Sequence, residues 1–267
     1  MYKLIAIDMD GTLLTSDKKI SPRTKQAIQS AKQQGVQVVL ASGRPLNGML
    51  DAINELGLNG EDDFVIHFNG TFVQKVASGE ILHQKIMDGR RAKEVASLAK
   101  QLGLHCHAFS RELGLIATEA NPYTNHEAEI NKLDITIYDF DKLEDDHEII
   151  KAMIVGEPAL LTEGIGNIPA HYHNDYTIVQ SAPFFLEFLN PLSNKGEGVK
   201  VIADHLNIPY EQTMCFGDAE NDHHMIEFAG KGVAMANAMP ETKSIADYIT
   251  DSNDDDGVAK AIEKFVL

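Results

Sequence analysis

The sequence has little cysteine, no long apolar run and no surplus of positive charge. Its two cysteines, Cys106 and Cys215, stand far apart. A disulfide scaffold is therefore excluded, and both are expected as buried, reduced thiols. No apolar stretch approaches the ~20 residues that a membrane-spanning helix requires. Met1-Tyr2-Lys3 leads directly into a strand-like run, without the apolar core or small-residue cleavage site of a signal peptide. A cytoplasmic location is the expectation. Lysine and arginine total 23 against 40 acidic residues, a formal net charge of -17. That balance sets the chain against nucleic acid and anionic membranes as partners. Phosphate stays open to it through a local cation or a nest of backbone N–H groups. What is present is ordinary for a globular protein: 267 residues, 43% hydrophobic and 24% charged, enough for one large domain or two moderate ones.

The first third alternates strand and helix. Residues 4–7 are a short apolar run of strand character. Ser21-Pro22 marks a helix start, with Ser as N-cap and Pro at the first helical position. Ala27, Ile28 and Ala31 give that helix its apolar face, and Gly35 suits the position past its end. Residues 36–41 read as a strand, 45–56 as a helix and 64–68 as a third strand. This βαβαβ order predicts an α/β fold with a parallel sheet and helices on its faces.

The rhythm then changes. Segments 72–75 and 81–85 flank Ser78-Gly79 as a hairpin, and Asp88 caps a helix ending near Leu102. Strands are expected at 104–109, 113–118, 152–155, 176–181 and 184–189, with helices at 122–131 and 158–164. Such a pattern fits an antiparallel sheet backed by helices. An α+β domain over 83–190 is therefore expected as an insert in a core made of 1–82 and 191–267. Alternation returns with a helix at 195–206, a strand at 213–216, a helix at 220–228, a strand at 232–235 and a last helix from Gly257. The acid-rich stretch 251–256 reads as a solvated loop.

Two acid-rich motifs follow predicted strands directly. Asp8-Met9-Asp10-Gly11-Thr12-Leu13 comes after the first, and open parallel sheets bind ligands beyond the carboxyl ends of their strands. Two carboxylates so close are costly to hold together without a cation, and Gly11 lets the backbone turn sharply beneath a ligand. A calcium loop would need further acids at alternate positions and a closing Glu; Thr12, Leu13 and Leu14 stand there instead. In Gly217-Asp218-Ala219-Glu220-Asn221-Asp222, Asp218 and Asp222 can face one pocket across a first helical turn. Ser42-Gly43-Arg44-Pro45 places a hydroxyl and a glycine N–H at a helix start, an arrangement that suits an anion. Lys195 opens the helix after the insert.

In this order and spacing the motifs resemble the haloacid dehalogenase superfamily, in its Cof-type sugar-phosphatase branch. Asn69-Gly70, Lys195-Gly196 and the 253–258 segment agree with that branch, and the resemblance spans the whole chain. It implies a Rossmann-like core with an inserted lid, or cap, of the C2 type. It also implies a Mg2+-dependent phosphatase acting on a small phosphorylated metabolite, a sugar phosphate by class. Asp8 would form an aspartyl-phosphate. Asp10, beginning protonated, would donate a proton to the leaving alcohol and then activate water. The metal ligands implied are Asp8, the main-chain carbonyl of Asp10 and Asp218, with Asp222 alongside. Ser42, Gly43, Lys195 and Asn221 would hold the phosphoryl oxygens, and Met9 and Gly11 would add backbone N–H groups. Thr12 would fix the first motif; Arg44 would either touch substrate or tie its loop to the lid.

Within the insert, the candidate substrate contacts are His105, His107, Arg111, Tyr123, His126, His171, Tyr172 and His173. In strands, His105 with His107 and His171 with His173 would each share a face. No third ligand has a metal-binding spacing, so these read as surface or lid-core histidines. Two rival functions use the same motifs. A phosphomutase would return phosphate to a sugar, and a sugar-phosphate-binding regulator would not turn over. The regulator has no use for a nucleophile beside an acid. Physiological substrate and oligomeric state have no signature in the sequence.

Overall fold

The apolar run after Lys3 forms strand β1 (Leu4–Asp8), buried at every residue. In the computed structural model, which describes residues 1–267, β1 is followed by α1 (Pro22–Gln33), β2 (Gln37–Ala41), α2 (Leu50–Leu56), β3 (Phe64–His67), β4 (Phe72–Lys75) and β5 (Ile81–Gln84). Next come α3 (Gly89–Gln101), β6 (His105–Ser110), β7 (Gly114–Ala117), α4 (Pro122–Asn131), β8 (Ile135–Ile137), β9 (Ile149–Val155), α5 (Pro158–Gly166), α6 (Tyr172–Asp175), β10 (Thr177–Ala182) and β11 (Phe185–Leu189). The chain ends with α7 (Lys195–His205), β12 (Thr213–Gly217), α8 (His223–Phe228), β13 (Lys231–Ala234), α9 (Pro240–Ile245), β14 (Tyr248–Ile249) and α10 (Gly257–Phe265). These elements fall into two compact units, Met1–Gln84 with Asn194–Leu267, and Lys85–Ser193.

The first unit is built on an eight-stranded sheet in the order β14-β13-β12-β1-β2-β3-β4-β5. From β14 to β3 all pairing is parallel. Ile5 and Ile7 share a cluster with Ile28 and Ala31 of α1 and Ile262 of α10. Leu4 and Ala6 share another with Val199 and Ile202 of α7 and Met225 of α8. Helices thus cover both faces, which is why β1 reads as an unbroken apolar run rather than an alternating one. Strand order reverses at β1, and the carboxyl ends of β1, β2 and β12 meet at that switch point, where open α/β sheets place their ligands.

Two details depart from the expectation, and a third refines it. The hairpin β4-β5 extends the core sheet, adding antiparallel strands at its edge. Only residues 68–71 link β3 to β4, too few for the crossover that parallel pairing needs. The predicted helices 45–56 and 220–228 both open as short 3-10 turns, Leu46–Gly48 and Glu220–Asp222. The acid-rich 251–256 segment is solvated as expected but tied down, for Asp251, Asp254 and Asp256 are bonded to Lys260, Ser16 and Ser21.

The second unit holds a six-stranded sheet in the order β10-β11-β9-β6-β7-β8, antiparallel except where β7 meets β8. Cys106, Ala108, Ala152, Ile154, Leu186 and Phe188 pack with Val95 and Ala99 of α3 and Leu161 of α5. The alternate positions carry polar groups that meet α4. Lys151, 1% exposed, lies 3.6 Å from Glu127 and 3.3 Å from Glu187. Fully buried His107 meets the Thr124 hydroxyl at 3.0 Å and the Met153 sulfur at 3.1 Å. Burial, aided by the charge of Lys151, pushes its imidazole down to about 3. His107 is therefore a neutral core side chain, not a substrate contact. His171 and His173 lie at the short helix α6, so they do not share a strand face. Both thiols are free and buried, and no helix is long and apolar enough to cross a membrane.

Candidate active site

Strand β1 delivers Asp8 to the switch point, and the chain then coils tightly. The Leu13 N–H donates to the Asp8 carbonyl at 3.1 Å and the Leu14 N–H to the Met9 carbonyl at 2.9 Å. Gly11 adopts φ +82, a conformation that glycine takes without strain. A Cβ at Gly11 would overlap the Asp218 carboxylate, so backbone and packing both demand glycine there. Met9 is buried within the same turn.

Lys195 is the cation of the site. It begins α7, whose N-cap Asn194 accepts the Glu197 N–H at 2.8 Å. Its fully buried Nζ donates to Asp8 Oδ1 at 2.6 Å and to Asp222 Oδ1 at 2.7 Å. Burial would lower its pKa, but the charges of Asp222 and Asp8 reverse that and raise it, so the ammonium stays charged. The other Asp222 oxygen accepts the N–H groups of Asp218 and Ala219 at 2.9 and 3.1 Å. Asp8 differs: with Oδ1 on Lys195, its second oxygen makes no hydrogen bond.

Asp8, Asp218 and Asp222 each offer an oxygen within 4.8 Å of the others. Three carboxylates thus face one ammonium. Burial and then the charge of Asp222 push Asp8 well above the usual carboxylate range. The same two causes raise Asp218 to about 6, although the Thr12 hydroxyl donates to it at 3.0 Å. Buried negative charge in surplus, carried on hard oxygen donors, fits a divalent cation such as Mg2+.

Asp10 points elsewhere. Its carboxylate accepts from Arg44 Nε and Nη2, both at 2.7 Å, and from Lys18 Nζ at 2.8 Å. Burial raises its pKa, yet the bonds and charges of Arg44 and Lys18 outweigh that and hold it below the usual value. Two cations on one carboxylate favour its ionised form here, whereas the expected protonated start is one that a neighbouring anionic substrate would favour. Arg44, expected to touch substrate or to tie its loop to the lid, is here a partner of Asp10.

The remaining predicted residues gather around Asn69, which the resemblance includes but to which the sequence gives no role. Asn69 has left-handed backbone, φ 54, and is buried. It donates its N–H to the Ser42 carbonyl at 2.9 Å and accepts from Asn221 Nδ2 at 3.0 Å. Its side chain also lies against Gly43, where an added Cβ would stand 3.0 Å away. Asn69 thus joins the Ser42-Gly43 segment to the acid-rich motif that contains Asn221. Lys18 is the residue the sequence reading missed, because no spacing marks a lysine that reaches back to Asp10. In the second unit, Arg111 pairs with Glu148 at 3.2 Å and His105 with Glu119 at 2.9 Å. Tyr123 and His126 pack beside Phe184.

Comparison with known proteins agrees along the whole chain. A family model described as haloacid dehalogenase-like hydrolase matches residues 5–262. A Streptococcus pyogenes serotype M6 protein named as a candidate phosphatase is 44% identical over 267 residues, 99% of this chain and 98% of its own. A solved haloacid dehalogenase-like hydrolase from Bacteroides thetaiotaomicron superposes with a TM-score of 0.85 at 32% identity, covering 99% of each chain. A solved subclass IIB sugar phosphatase of the superfamily gives 0.82 at 25% identity over 98% of each. The α/β fold is shared with these structures, and the chain belongs to the haloacid dehalogenase-like hydrolase family, as one of its phosphatases.

Proposed function

We propose that this enzyme hydrolyses a small phosphorylated metabolite, a sugar phosphate by class, with Mg2+ and through an aspartyl-phosphate on Asp8. The observation that carries this reading is the Asp8 carboxylate. One of its oxygens is fixed by Lys195 and the other is free, at the end of a buried strand. That free oxygen forms the bond to phosphorus as the ester P–O bond breaks. Asp10 leaves Arg44 and Lys18, takes up a proton and gives it to the departing alkoxide. It then accepts a proton from the water that attacks phosphorus, releasing inorganic phosphate and restoring Asp8. Lys195, Asn221, the Ser42 hydroxyl and the N–H groups of Met9, Gly11 and Gly43 hold the phosphoryl oxygens. Asp8, Asp218 and the main-chain carbonyl of Asp10 would hold Mg2+, which neutralises charge on the phosphoryl group. Asp222 orients Lys195 and the Asp218 backbone beside it. The unit Lys85–Ser193 acts as the cap that chooses substrate, and the likeness to a subclass IIB sugar phosphatase supports the substrate class.

The test is phosphate release over a panel of sugar phosphates, nucleotides, pyridoxal phosphate and flavin mononucleotide, with sugar-phosphate isomers assayed alongside. Release of phosphate from sugar phosphates is expected; isomers without phosphate would mark a mutase. Asp8→Asn is expected to abolish release while circular dichroism stays that of wild type, because an amide cannot attack phosphorus. Chelation is expected to stop turnover, with Mg2+ restoring it and Ca2+ not, since Ca2+ favours more ligands at longer distances. Turnover in Asp8→Asn, or full activity with Ca2+, would overturn the corresponding step.

A further inference from the structure

The segment before α10 grips the loop that follows Asp8, and the mechanism above makes no use of it. Asp254 accepts the Ser16 N–H at 2.7 Å through one oxygen and the Ser16 hydroxyl at 2.6 Å through the other. Asn253 Nδ2 donates to the Leu14 carbonyl at 2.8 Å. The Asn253 N–H in turn donates to Asn237 Oδ1 at 3.0 Å, and Asn237 Nδ2 donates to the Gly11 carbonyl at 2.8 Å. Residues 11, 14 and 16 are thus held from outside by three side chains. From inside, the same loop closes on the carbonyls of Asp8 and Met9.

What the loop carries gives this grip a use. Asp10 lies within it, and Lys18, bonded to Asp10 Oδ1, sits two residues beyond Ser16. Lys18 has left-handed backbone, φ 58, in a turn closed by its N–H on the Thr15 carbonyl at 2.8 Å. Such a conformation at a non-glycine residue persists only where the surroundings hold it. Residues 16–19 are exposed; Thr15 and Lys19 bond to one another across the turn, and Asp254 on Ser16 is what ties it to the rest of the chain. A proton donor must also stand within hydrogen-bond reach of its target, so small displacements of the loop bear directly on rate.

We infer that Asn237, Asn253 and Asp254 are positioning residues for Asp10. They fix the backbone of the loop that carries Asp10 and Lys18, and so the point from which the Asp10 carboxyl reaches the leaving group. The inference rests on the role proposed above for Asp10. None of the three is bonded to Asp8, Asp218 or Lys195, so their effect on the reaction is indirect.

The experiment compares Asp254→Ala, Asp254→Asn and Asp10→Asn with wild type, in Mg2+, on glucose 6-phosphate and p-nitrophenyl phosphate. Asp254→Ala is expected to lower kcat on the sugar phosphate by about tenfold to a hundredfold, with KM within about twofold. On the aryl ester the loss should be far smaller, because a weakly basic leaving group needs little help from a proton. Asp254→Asn keeps an acceptor for the Ser16 N–H and should stay within about threefold of wild type. A thermal midpoint for Asp254→Ala close to that of wild type excludes unfolding as the cause. The positioning inference depends on Asp254→Ala reproducing the pattern of Asp10→Asn across the two esters; the acid role of Asp10 depends on what that pattern is. Equal loss on both esters in Asp10→Asn overturns the acid role alone. Wild-type kcat in Asp254→Ala, or a pattern unlike that of Asp10→Asn, overturns the positioning inference. Should Asp254→Ala fail to fold, Asn237→Ala removes the bonds to Gly11 and Asn253 and supports the same comparison.

Discussion

Among single side chains, the crowding of Asp8, Asp218 and Asp222 around Lys195 has a consequence for stability as well as for catalysis. The Asp218 carboxyl is raised from its ordinary 3.8 to about 6 in the folded protein. Between those values the folded state binds a proton that the unfolded state does not. Asp218 therefore stabilises the fold at low pH, and that contribution is lost as pH rises through about 4 to 6. In chelator, the thermal midpoint of wild type relative to Asp218→Asn should fall across this range, and Mg2+ should flatten the difference. A constant difference from pH 4 to 7 in chelator would show that no such repulsion exists. The positions of Asp8 and Asp218 were legible in the sequence because each follows an apolar strand run directly. The role of Asn69, named only as part of the resemblance, and the part of Lys18 were not. Their places depend on left-handed backbone at each, φ 54 and φ 58, which no pattern of apolar residues encodes.

Elements with strong local signals came out close to their predicted bounds, and those set by tertiary partners did not. Helix α1 keeps the Ser21 cap, whose hydroxyl accepts the Thr24 N–H at 3.1 Å. Helix α4 keeps its predicted bounds, with Asn121 as its N-cap. The 3-10 turn ahead of α2 has no comparable cap; Arg44 Nη1 donates to the Gly48 carbonyl within it at 3.0 Å. Strand β8 escaped notice because it is short and largely exposed, so it carries no alternating pattern. Helix α4 itself meets its sheet through charge rather than through a broad apolar face. Lys151 lies between Glu127 and Glu187, with its ammonium 4.9 Å from the centre of the Phe109 ring. Replacing Lys151 by Met leaves two carboxylates buried without their cation, which costs about 3–5 kcal/mol. Urea denaturation should show a loss of that size, and Glu127→Gln with Glu187→Gln in the same chain should recover part of it. A Lys151→Met protein as stable as wild type would mean that the triad does not hold α4.

For the molecule as a whole, the division into two units predicts separable effects on catalysis and on choice of substrate. Every residue assigned to the reaction lies in Met1–Gln84 or Asn194–Leu267, and none in Lys85–Ser193. Changing Arg111 or Tyr123 should alter the ratio of kcat/KM between two sugar phosphates while hardly affecting acetyl phosphate. Ser42→Ala should lower all three by a similar factor. Equal losses in the Arg111 and Tyr123 variants would remove the second unit from substrate selection. The division also bears on how the chain is made. Leu4 of β1 pairs with Thr213 of β12, and α10, which covers Ile5 and Ile7, is the last helix. The N-terminal strands therefore leave the ribosome long before the neighbours that complete their sheet. The contiguous stretch Lys85–Ser193 has all its partners in hand earlier. A nascent chain stalled once residue 193 has emerged would carry one finished unit and a half-built sheet, with the face that α7 and α8 later cover left bare. Such a species invites chaperones and aggregation, and the delay follows from the connectivity alone, whatever the final stability of the enzyme.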